Sequence, residues 1–223
     1  MVIRLLAKLL ATGVIAAASA AHAVPILRIS DGVTTITAAD NGSGTCADTD
    51  STAGLVSVSC SIGSWFVNVL VGIGHAVLGN QIHLTSLNVS SSAGGTLTVS
   101  LTDTDFVNAG AYPSLAFWGG IGGVAAGNVS YAMYVSDANT PFGLDTLIGS
   151  GSGSGAFSAS FGNWASPTGT YSMTLVATIV HNLSNFPQAT SLDFVGRVPE
   201  PGVLALLATG LLGVSVAARR RRT

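Results

Sequence analysis

Two aspartate pairs, Asp48 with Asp50 and Asp103 with Asp105, are the residues whose spacing best suits chemistry. Alternate side chains of an extended chain share a side, so each pair would present two carboxylates together. Calcium prefers several oxygen ligands and accepts irregular loops, which makes these four residues candidate calcium ligands. Neither pair follows the EF-hand order of alternating ligands, turn glycine and distal glutamate. Glu200 is the chain's single glutamate, so acid catalysis on a glycoside would fall to aspartates alone. His75, His83 and His181 form neither an H-E-x-x-H motif nor an i, i+4 pair, which argues against zinc, and no Gly-x-Ser-x-Gly elbow occurs among the many serines. No catalytic residue and no cofactor is assigned. Asn88, Asn128 and Asn182 each begin an Asn-x-Ser sequon, a weak signal in a chain so rich in both residues.

The elements that must position these residues are strands. Between Val24 and Gly196 apolar residues alternate with Ser or Thr, and Gly, Asn, Asp and Pro interrupt the pattern. His83 to Ser91 and Thr96 to Asp103 alternate at period two around "SAGG", which predicts a hairpin turning at Gly94 and Gly95. Thr170 to His181 reads as a longer, more buried strand. Further strands are expected at 26–30, 34–38, 55–60, 65–73, 130–135, 157–161 and 191–195. "GSGSGSG", Gly149 to Gly155, reads as a flexible loop within the domain. Many short strands with turn signals between them predict an all-β antiparallel sandwich, jelly-roll or immunoglobulin-like. Trp65, Phe66, Phe117, Trp118, Phe161 and Trp164 are expected to fill its core or edges, although an exposed Trp would instead stack on a sugar ring.

Charge is scarce and unevenly placed. Only 8% of residues are charged, and from Val24 to Gly196 a single Arg28 faces nine aspartates without one lysine. Such a body repels polyanions, which excludes nucleic acid as a partner. The remaining basic residues stand at or near the ends, among them Arg4, Lys8 and the run Arg219, Arg220, Arg221, Arg222.

Both ends read as addresses. Arg4 and Lys8, an apolar run and an A-x-A site at Ala21 and Ala23 make a secretory signal peptide over residues 1–23, cleaved after Ala23. Export by the Sec translocon and trimming by signal peptidase follow from that reading. Cys46 and Cys60 would then lie in an oxidising compartment and pair as a disulfide. The apolar stretch 202–218 has 17 residues, at the short end of the roughly 17 to 25 that span a bilayer as a helix. Pro199 and Pro201 stop it from extending backwards, and the arginine cluster holds its end on the cytoplasmic side.

Val198, Pro199, Glu200 and Pro201, a short apolar helix and a terminal arginine run together resemble the PEP-CTERM sorting signal, the tripartite tail that exosortase recognises in Gram-negative bacteria. The resemblance covers residues 197–223 and leaves 24–196 as the extracellular domain. It implies that the membrane segment is temporary and that the body is released or attached at the cell surface. The expected protein is an exported, sorted, non-catalytic component of the envelope or extracellular matrix, linked to exopolysaccharide. The alternative is a carbohydrate-binding or glycan-hydrolysing domain carried by the same tail.

Overall fold

The computed structural model describes residues 24–108, 113–184 and 186–198. The signal-peptide residues Ala21 and Ala23, the motif residues Pro199, Glu200 and Pro201, the apolar stretch 202–218 and Arg219 to Arg222 lie outside the described residues. Ten strands and one short helical turn follow in order: β1 (Ile26–Ser30), β2 (Thr35–Ala39), β3 (Leu55–Ile62), β4 (Trp65–Ile73), α1 (His75–Leu78), β5 (Gln81–Ser91), β6 (Gly95–Val107), β7 (Leu115–Ser136), β8 (Thr146–Ala165), β9 (Thr170–His181) and β10 (Gln188–Arg197).

All pairings among them are antiparallel, in the order β2-β1-β6-β9-β7-β10-β5-β4-β3, with β8 on the other side of β7. The long strands β7 and β8 turn this ribbon into two layers. Residues 128–136 of β7 pair with β9, whereas residues 118–125 pair with β10. One layer is therefore β2-β1-β6-β9 plus the second half of β7, and the facing one is β3-β4-β5-β10 plus the first half; we call them the β6 layer and the β5 layer. Strand β8 follows β7 through both. The result is an antiparallel β-sandwich of jelly-roll type whose corner is made by bent strands. The bend falls where the β7–β8 register shifts between Ala125 and Asn128. Gly127 occupies it because a Cβ there would collide with the Val180 carbonyl, and Gly155 opposite takes a positive φ of 62°.

The alternation seen in the sequence translates directly into the core. Leu97, Val99 and Leu101 of β6, Met133 of β7 and Met173 and Leu175 of β9 point inward from one layer, and Leu84, Leu87, Leu192 and Phe194 from the other. The layers touch closely enough that a Cβ on Gly196 would stand 3.0 Å from Leu175 and Met133. Burial of these side chains at roughly 25 cal/mol per Å² is the main term holding the sandwich together. Cys46 and Cys60 form a disulfide with Cα atoms 5.5 Å apart, tying the β2–β3 connection to β3. Chain-entropy reasoning gives such a loop about 3 kcal/mol of stabilisation.

Two local expectations are corrected. Strands β5 and β6 are not a hairpin: β5 pairs with β4 and β10, and β6 with β1 and β9. Alternation marks a strand's buried face but leaves its partner open, and the "SAGG" segment carries the chain from one layer to the other. The GSGSGSG run is not a loop but the first half of β8. Its glycines face inward, where Cβ atoms at 149, 151 and 153 would strike Phe161, Tyr131 and Phe157, so the missing side chains make room for stacked rings. Its serines face water.

Candidate functional site

The outward face of the β5 layer gathers the polar and aromatic groups that sequence spacing kept apart. On β10, Ser191, Asp193, Val195 and Arg197 point outward, while Leu192 and Phe194 enter the core. The β10–β5 register shifts between Leu192 and Phe194, so Asp193 sits at a bulge that aims its carboxylate at two residues of β5. His83 Nε2 meets Asp193 Oδ1, and the Thr85 hydroxyl donates to Oδ2 at 2.8 Å. The Asp193 side chain remains 55% exposed. The carboxylate stands between ring and hydroxyl. A nucleophile relay requires the imidazole in the middle, so this arrangement orients polar groups toward solvent and does not activate Thr85.

Four residues along β10, Arg197 pairs with Trp118 of β7, and its guanidinium lies 4.1 Å above the indole. Trp118 itself lies along the sheet over Gly120, where a Cβ would strike its ring. On β8, Trp164 pairs with Ala116 and is 67% exposed. It therefore presents to solvent a large ring with an apolar body and a polar N–H. At about 3.3 Å per residue, Asp193 and Trp118 are separated by about 13 Å along the strands. Toward the other end the face dips into a shallow depression lined by Asn68, Asn88, Val124 and Ser191. Of the aromatic residues expected to fill the core or its edges, Trp65 and Phe117 are buried, Phe161 is packed against the core, Trp118 is half-buried, and Phe66 and Trp164 are exposed.

The remaining candidates serve local structure. Asp48 accepts backbone N–H groups from Asn41, Asp50 and Ser57 at 2.8 to 3.0 Å. Asp50 accepts from Thr52, whose side chain and N–H hold its carboxyl below the usual range. Asp103 and Asp105 do not share a side: a bulge follows Asp103, which is fully buried, whereas Asp105 is exposed and bonded to Asn139. Asp103 accepts the His75 N–H at 2.7 Å, His75 Nδ1–H at 2.9 Å and the Thr104 N–H, and so clamps α1 against β6. Among the described residues no group of three His, Cys, Asp or Glu side chains is placed to hold a metal. His181, 2% exposed, bridges the Ser91 and Thr190 hydroxyls at 2.8 Å and packs on Trp65. Burial pushes its pKa down, and the ring ties the end of β9 to the β5 layer.

Strand β10 stops at Arg197, and the Val198 N–H donates to the Asn80 carbonyl at 2.9 Å.

Comparison with known proteins locates similarity at two levels. No curated protein sequence matches the chain. Among solved structures, the carbohydrate-binding module CBM36 in complex with calcium and xylotriose aligns over 48% of this chain and 76% of its own, at 15% identity and a TM-score of 0.25. The K1 cleaved adhesin domain of Lys-gingipain from Porphyromonas gingivalis W83 aligns over 64% of this chain and 96% of its own, at 17% identity and a TM-score of 0.30. The structure of infectious bursal disease virus Gx strain aligns over 81% and 51%, at 9% identity and a TM-score of 0.33. Likeness this distant transfers no ligand. The tail is different: beginning at the arginine stacked on Trp118, residues 197–222 are a PEP-CTERM protein-sorting motif.

Proposed function

We propose that the protein is an exported, exosortase-sorted, non-catalytic component of the bacterial envelope or extracellular matrix that holds neutral polysaccharide against the outward face of its β5 layer. The sorting motif implies export and delivery to the cell surface. The observation that carries the glycan reading is Trp164, 67% exposed on a sheet face that also bears Trp118 under Arg197. Pyranose rings stack on indoles, and Asp193, His83 and Thr85 supply the acceptors and donors that hydroxyls need along the same face. The nine aspartates of the body disfavour anionic polymers, which leaves uncharged glycans.

A glycan-array screen of the full chain in detergent tests this. Selective retention by neutral polysaccharides is expected. Absence of binding to any glycan contradicts the reading, and release of reducing sugars that stops in Asp193→Asn would replace binding by hydrolysis.

A further inference from the structure

The two lateral ends of the sandwich treat their edge strands differently. At one end, β2 and β3 are short, 5 and 8 residues, and the disulfide secures the connection between them. At the other, β8 runs for 20 residues and, among the described residues, pairs only with β7. Half of its backbone N–H and C=O groups therefore face away from the sandwich. Proteins normally protect such an edge with lysine, proline, a bulge, a charge turned inward or a short strand; of these β8 carries only bulges, one at its Gly155 bend and one at Ile148 near its start, which leaves residues 149–161 regularly paired around the bend. Thr146 to Ala165 contains no charged residue and no proline, in a body where nine aspartates otherwise make two copies repel.

We propose that the free edge of β8 is where a second copy of this chain docks, by antiparallel β8–β8 pairing about a two-fold axis through Gly155. The bend carries the argument. The first half of β8 lies in the β6 layer and the second half in the β5 layer, so the strand has the shape of a V with Gly155 at its apex. A two-fold axis along the bisector maps this V onto itself with its arms exchanged. The β6 layer of one copy then continues into the β5 layer of the other, inward faces remain inward, and Gly155 meets Gly155 of the second copy. Any shifted register would set a bent backbone against a straight one. In the matched register Ser152 faces Ser158 across the interface, and the small exposed serines present no bulk to prevent approach. Because the described residues of each copy offer one such edge, the pairing closes as an isologous dimer and does not propagate. Two glycan faces would then sit on one particle, although the dimer does not depend on glycan binding.

Sedimentation velocity of the full chain in detergent, with far-UV circular dichroism as a check on folding, reads the outcome. The wild type is expected to sediment as a dimer. Ser152→Lys with Ser158→Lys places like charges opposite each other and should weaken association roughly 100-fold; Ser152→Asp with Ser158→Asp should do the same. Mixing the two variants pairs lysine with aspartate and should restore the dimer. Ser61→Lys, on β3, should leave it intact. A monomeric wild type, or a lysine variant as dimeric as the wild type, overturns the proposal, and a mixture that stays monomeric overturns the Gly155 register.

Discussion

The outward faces of the two layers are built from similar sequence and end in opposite conditions. On the β6 layer the hydroxyls of Thr98 and Thr178 meet at 3.2 Å, and those of Thr102 and Thr174 at 3.1 Å. The segment 137–145 closes over part of this ladder. The Phe142 N–H donates to the Thr102 hydroxyl, Ser172 donates to the Thr140 carbonyl at 2.8 Å, and Arg28 lies 3.7 Å above the Phe142 ring. Thr102, Thr174, Ser172 and Ser136 are consequently buried although they point away from the core. The β5 layer has serines and threonines in the same alternation, but Trp164, Asp193 and the Asn68–Asn88 depression stay open. Hydroxyls on the first face satisfy the protein's own cover. On the second they remain available to another molecule.

Substitutions sharpen this contrast, beginning with the core beneath the open face. Phe194→Ala should cost about 3 to 5 kcal/mol, because the ring is wholly buried between Tyr131 and Phe161. Its neighbour Asp193→Ala should cost about 1 kcal/mol or less, since the side chain faces water. Urea titration of the two variants measures the difference, and equal losses would mean that the open face is structural after all.

On the covered face, Thr102→Val removes the acceptor of the Phe142 N–H and a partner of Thr174. Two polar groups are left unsatisfied under the 137–145 segment, at a cost of about 1 to 3 kcal/mol. Hydrogen exchange should show the Phe142 amide losing protection while amides of the β5 layer keep theirs.

A smaller effect is expected at the seam between the layers. Burial lowers the His181 pKa below its ordinary 6.5, so the unfolded chain binds the proton more tightly than the folded one. The stabilisation from the neutral ring is fully present above pH 6.5 and is lost as pH falls through the folded value. A thermal-melt series from pH 8 to pH 5 should show this decline, and His181→Asn should flatten it.

Much of the architecture was legible in the sequence. The period-two alternation located β1, β4, β5, β6 and β9 because each strand buries one face. Their partners were not legible, since β5 and β6 look like a hairpin until β10 and β9, about a hundred residues on, take the places beside them. The Gly-Ser run resembles a linker because its pattern has no apolar side chains; the bulk that fills its inward face comes from Tyr131, Phe157 and Phe161. The same distance hid the site. His83 and Asp193 are 110 residues apart and meet only through the β5–β10 pairing, and nothing local distinguished Trp164 from a core residue. The tail was the clearest signal, because an address must be readable in the unfolded chain.

Affinity electrophoresis through gels containing a neutral polysaccharide, selected on the array, compares the two faces most directly. Trp164→Ala should weaken retention roughly 10-fold or more, while Thr178→Ala on the covered layer should migrate as the wild type does. If Trp164→Ala were retained as strongly as the wild type and Thr178→Ala were released, the open face would not be the binding surface.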